Sequence, residues 1–148
     1  MIKIVLAQIQ KLAPNAKIVI LGYPPIFQDG VGCVAIGQLD NAWLNEMAVH
    51  LNKSVEAAAA TQNSAAHPVY YADPAREFAG RNVCSSNPAI NGLLTYDSAN
   101  RGFPWNGDKP MVDKPNFSFG VSQQSVHPNT AGTTLYKNTL ERALAGRY

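Results

Sequence analysis

The sequence predicts an α/β domain built on parallel strands, and three observations carry that expectation. Lys17-Ile18-Val19-Ile20-Leu21-Gly22-Tyr23 is a continuous apolar, β-branched run, the pattern of a strand covered on both faces. Pro68-Val69-Tyr70-Tyr71-Ala72 is a second run of strand length. Before, between and after these runs, apolar residues recur at helical spacing. The order helix, strand, helix, strand, helix calls for right-handed crossovers in a parallel sheet.

Taken in order, Ile2, Val5, Leu6, Ile9 and Leu12 predict an amphipathic helix over 2–12, stopped by Ala13-Pro14-Asn15-Ala16. The first strand ends at Tyr23-Pro24-Pro25 and opens into a loop containing Gly30, Gly32 and Cys33. Asp40 is expected to cap a second helix, with Leu44, Met47, Leu51, Val55 and Ala58 on its core face, ending near Thr61. After the second strand, Asp73 as N-cap and Pro74 at the first helical position predict a short helix to Phe78. Residues 84–124 show no sustained period and are rich in Asn, Gly, Pro and Ser. So long a loop in a compact domain is functional or disordered. The interleaved Phe103, Trp105, Phe117 and Phe119 favour an ordered segment, as pocket lining or as local core. The final helix is expected over Thr130 to Leu144, with Leu135, Leu140 and Leu144 facing the core.

Two parallel strands leave open edges that must pair with something. The chain therefore looks like the second half of a larger α/β domain, residues 1–148 being one portion of it. Its first strand, Ile18 to Leu21, is expected to pair with another molecule or lie under another segment.

Composition narrows the functional classes. At 46% hydrophobic and 15% charged residues the chain is ordinary for a folded domain with a core. A net charge of +2, with no basic stripe, points to neither a nucleic-acid nor an anionic-membrane partner. No apolar run approaches the roughly 20 residues of a membrane span, and no signal-peptide pattern opens the chain. Cys33 and Cys84 are not in metal-ligand spacing. They are either two free thiols or a disulfide across a long loop, a bridge that chain entropy values at about 4 kcal/mol and that implies an oxidising compartment.

The stretch that concentrates chemistry is Ser125-Val126-His127-Pro128-Asn129-Thr130-Ala131-Gly132. Pro128 keeps His127 out of the α region, so the imidazole stands on an extended loop. Asn129 can cap the following helix, and Gly132 lets the backbone approach closely. His50 and His67 have surface explanations, and the three histidines show no metal spacing. No metal and no cofactor is expected.

Four blocks in order, Leu12-Ala13-Pro14-Asn15-Ala16-Lys17-Ile18-Val19-Ile20-Leu21-Gly22-Tyr23-Pro24, then Cys33, then Tyr71-Ala72-Asp73 with Phe78-Ala79-Gly80 and Cys84, then Val126-His127-Pro128-Asn129 with Gly132, carry a resemblance. The chain resembles the C-terminal half of the SGNH (GDSL) hydrolases, in their secreted actinobacterial esterase and lipase branch. That resemblance implies part of a flavodoxin-like three-layer α/β/α fold, without its N-terminal part, and hydrolysis of carboxylic esters or lipids through a serine nucleophile. It implies that His127 is the general base, that Cys33 and Cys84 pair, and that the protein is secreted.

The family's Gly-Asp-Ser nucleophile turn and its oxyanion-hole Gly and Asn would lie upstream of this chain. Asp97-Ser98, preceded by Tyr96, is the only Asp-Ser pair here and is expected not to end a strand. Where many members carry an acid to orient the histidine, Gln124 stands, and its main-chain carbonyl is expected to take that role. Two functions follow: a hydrolase half-domain completed by a companion N-terminal segment, or a non-catalytic module that folds by self-association and serves binding or structure.

Overall fold

The computed structural model describes residues 1–28, 38–92, 95–97, 119–121 and 125–147. In chain order the elements are α1 (Ile2–Leu12), β1 (Ile18–Leu21), α2 (Gln38–Gln62), β2 (Val69–Ala72), β3 (Thr95–Asp97), β4 (Phe119–Val121) and α3 (Thr130–Leu144). β1 and β2 run parallel, in register from Ile18 against Val69 to Leu21 against Ala72. Strand side chains alternate between faces, so Ile18, Ile20, Val69 and Tyr71 share one face, where they meet Leu6 of α1 and Ala59 of α2. α3 lies against the other face: the Tyr136 hydroxyl donates to Gly22 O at 3.2 Å, and the Arg147 guanidinium sits 4.3 Å over the Tyr70 ring. The result is two helices, a parallel sheet and a third helix in layers, the α/β class the sequence predicts.

The 2–12 helix and the 130–144 helix form with the expected bounds. Five expectations are corrected. β1 is half-buried along its whole length rather than covered on both faces, because among the described residues β2 is its only sheet neighbour. Beside it lies an apolar groove of about 450 Å³ between α1 and β1, whose lining includes Ile2, Val5, Ile9, Val19 and Leu21.

α2 begins at Gln38, so Asp40 sits in its first turn instead of capping it. A carboxylate there still suits the positive end of the helix dipole. The core face of α2 also differs from the apolar stripe in the sequence: Met47 is 40% and Leu51 42% exposed, while Asn41 is buried with Val55, Ala58 and Ala59. Backbone demand explains this. Beyond β1 the chain makes one isolated parallel bridge among the described residues, Phe27 against Val83, and α2 supplies amides beside it. Asn52 accepts from Tyr23 N–H at 2.8 Å and donates to Tyr23 O at 2.7 Å. Asn45, two turns earlier, does the same for Phe27 at 3.1 and 3.0 Å. Each side-chain amide pairs with one backbone residue as a neighbouring peptide would.

Residues 73–80 form turns, not a helix. Asp73 Oδ1 accepts from Ala75 N–H at 2.9 Å, one helical-type bond follows from Phe78 N–H to Pro74 O at 3.0 Å, and Gly80 at φ +68° turns the chain away. Finally, the 84–124 stretch contains two strands: β3 and β4 pair antiparallel, Thr95 against Val121 to Asp97 against Phe119. Asp97 therefore does end a strand, contrary to expectation, although Ser98 lies outside the described residues.

An ion-pair network straps α3 to the 73–80 turns. Arg142 Nε donates to Glu77 Oε1 at 2.8 Å, Nη2 donates to Oε2 at 2.9 Å and to Asp73 O at 2.6 Å, and Thr139 Oγ1 donates to Oε2 at 3.2 Å. The Arg142 hydrogen bonds, foremost, hold the Glu77 carboxyl down at about 2, from an ordinary 4.5. A carboxyl whose pKa is lowered on folding stabilises the fold above its unfolded value and loses that contribution as pH falls through the folded value. Stability is therefore expected to decline from about pH 4.5 towards about pH 2. Glu77→Gln should flatten that part of a urea-midpoint-against-pH curve; an unchanged slope would mean that the pair contributes nothing.

Candidate functional site

The site is built where the start of α3 meets residues 88–92. Ile90 and Pro128 form an antiparallel bridge, flanked by Asn91 N–H donating to His127 O at 2.9 Å and Asn129 N–H donating to Ala89 O at 3.0 Å. Asn129 is extended (φ −83°, ψ −171°) and caps α3, its Oδ1 accepting from Gly132 N–H at 3.1 Å. Its Nδ2 donates to Pro88 O at 3.0 Å. Gly132 permits the contact: a Cβ there would overlap Ala89 O and stand 2.8 Å from Pro128 Cβ. Beneath lies a core of Phe27, Phe78, Val83, Ala89 and Ile90, joined by Ala131, Leu135 and Tyr136 of α3.

On this platform His127 is exposed. Its Nδ1 lies 2.9 Å from Ser125 O. A carbonyl oxygen can only accept, so the bond requires Nδ1–H and leaves the neutral ring's lone pair on Nε2. The acceptor is thus the carbonyl of Ser125, one residue beyond the expected Gln124, which itself lies outside the described residues. The reach is possible because Val126, between the two, sits at φ +56°. A β-branched residue in that region is a true outlier, costing about 1–3 kcal/mol and persisting only where its surroundings over-determine it.

Sequence reasoning located His127, Asn129 and Gly132, and the structure brings all three together. It missed Ser125 and Val126. Glycine or asparagine would have signalled a left-handed residue; valine carries no such signal, so the bend could not be read. Of the remaining candidates, Phe119 opens β4, while Phe103, Trp105 and Phe117 lie outside the described residues. No cysteine is free among the described residues. Cys84 sits at φ +67°, and Cys33 lies outside the described residues. No cluster of His, Cys, Asp and Glu suited to a metal occurs among the described residues, and none of their helices is long and apolar enough to cross a membrane.

The parallel sheet layered between helices is a partial α/β fold similar to that of Streptomyces lipases of known structure. The crystal structure of phospholipase A1 from Streptomyces albidoflavus matches with a TM-score of 0.68 at 24% identity, covering 95% of this chain and 48% of that one. An extracellular lipase from Streptomyces rimosus matches with a TM-score of 0.65 at 23% identity and the same coverage. In sequence, Lipase 1 of Streptomyces coelicolor is 29% identical over 89 residues, 60% of this chain and 31% of the lipase. The chain thus spans about half the length of these solved structures. No family model matches it.

Proposed function

We propose that this chain is the histidine-bearing part of a carboxylic ester hydrolase of the SGNH type, acting on ester or lipid substrates. The observation that supports this most is the His127 tautomer: Nδ1–H held by Ser125 O at 2.9 Å, with Nε2 left basic on an exposed ring. In such an enzyme His127 Nε2 takes the proton from a serine hydroxyl as that oxygen attacks the ester carbonyl, then returns it to the leaving alkoxide. The Ser125 carbonyl dipole stabilises the transient imidazolium, replacing the usual carboxylate.

The nucleophile and the oxyanion-hole donors come from a companion segment bearing the Gly-Asp-Ser turn, and the apolar groove beside β1 suits such a partner. Phe103, Trp105, Phe117 and Phe119 contribute to the acyl pocket. Cys33 and Cys84 form a disulfide, in keeping with secretion, a location supported by the likeness to an extracellular lipase.

A second reading, a non-catalytic module that self-associates, is favoured by the same half-covered β1 and groove. Labelling the natively prepared protein with a fluorophosphonate serine probe, read by unreduced intact mass, separates the two. A label on a companion or longer chain is expected, with the His-bearing chain two mass units light for its bridge. An unlabelled, self-associated chain would overturn the hydrolase reading.

A further inference from the structure

The Ser125 carbonyl meets Nδ1 because the chain bends at Val126, and nothing local favours that bend. Valine disfavours a positive φ, since its branched Cβ is forced against the adjacent carbonyl. The conformation is imposed from outside, by residues distant in sequence. Val126 N–H donates to Asn91 O at 3.2 Å and less directly to Gly92 O at 3.4 Å, while Asn91 N–H donates to His127 O at 2.9 Å. Ile90 bridges Pro128 just beyond. The strained residue is therefore pinned on both sides by one template segment, while its side chain is exposed.

We propose that Val126 is a positioning residue for His127: its left-handed backbone, held by residues 89–92, aims the Ser125 carbonyl at Nδ1 and so makes Nε2 the basic nitrogen. This rests on His127 being the general base, and adds a residue that need not touch substrate. The backbone, not the side chain, carries the role. Glycine adopts a positive φ freely and should preserve it. Proline is locked near φ about −65° and has no N–H to give Asn91, and should destroy it.

The test is long-range ¹H–¹⁵N correlation of the imidazoles in the labelled 148-residue chain, recorded with the imidazoles neutral, alongside thermal unfolding. The parent protein and Val126→Gly are expected to show the Nδ1–H tautomer, and Val126→Gly to melt about 2–4 °C higher as the strain is released. Val126→Pro is expected to switch to Nε2–H. The proposal is overturned by Nε2–H in the parent, by loss of Nδ1–H or a lower Tm in Val126→Gly, or by Nδ1–H surviving in Val126→Pro. Should the proline variant not fold, Val126→Asn replaces it, with retained Nδ1–H and no loss of Tm expected and the opposite result counting against the proposal. None of these readouts uses a serine or an ester. A failed probe-labelling experiment would sink the hydrolase reading and leave the positioning result standing.

Discussion

Gly132→Ala is expected to destabilise the protein by about 3 kcal/mol or more, lowering Tm by about 6–12 °C. On helix propensity alone the sign would be opposite, since alanine in a helix is favoured over glycine by about 1 kcal/mol. Packing decides. The added Cβ would overlap Ala89 O, stand 2.8 Å from Pro128 Cβ and lie 3.3 Å from Ala89 C. Two of these three neighbours are backbone atoms, which cannot swing aside as a long side chain can. To make room, the start of α3 must lift off residues 89–90, which breaks the 3.0 Å bond from Asn129 N–H to Ala89 O and loosens the bridge beneath His127. Urea and thermal unfolding measure the effect. A variant as stable as the parent would show that the close approach is not a constraint.

His127→Ala should abolish ester hydrolysis by the assembled enzyme, by a factor on the order of 10⁴ or more in kcat. Stability should move little. The side chain is exposed, and the change removes one hydrogen bond, to Ser125 O, worth about 0.5–1.5 kcal/mol. The separation of the two effects is what identifies a base rather than a structural histidine. A variant that loses activity and fold together points to structure; unchanged turnover removes His127 from the mechanism. Gly132→Ala should show the complementary pattern, with stability falling first and activity following as the loop that carries His127 loses its seat.

Much of this site was legible in one dimension because its instructions are local. Asn129 caps the last helix through a bond to a residue three positions on, and Pro128 restrains its own φ and that of His127. Each effect acts across a few residues, so the helix start and the presented histidine follow from the sequence alone. The same holds for the positions of α1, β1 and β2, although of the apolar stripe on α1 only Leu6 is buried while Val5 and Leu12 are exposed.

Three of the expectations that failed depended on a distant partner. The stripe of Met47 and Leu51 on α2 promised a core face, yet the backbone at Tyr23 and Phe27 recruited Asn52 and Asn45 instead. β1 promised burial on both sides, which needs a second neighbour. A carbonyl for His127 was sought at Gln124, outside the described residues; the Ser125 carbonyl lies within reach of Nδ1, because Val126 bends against its own preference.

By itself the sequence determined the three long helices, the parallel strand pair, the capped last helix and the identity of the exposed histidine, since period, cap and proline geometry act within a few residues. Only the tertiary structure decided which carbonyl that histidine holds and hence which of its nitrogens is basic. That choice rests on a left-handed valine sustained by hydrogen bonds from its N–H to the carbonyls of residues 91 and 92, and a contact across more than thirty positions leaves no trace in local sequence.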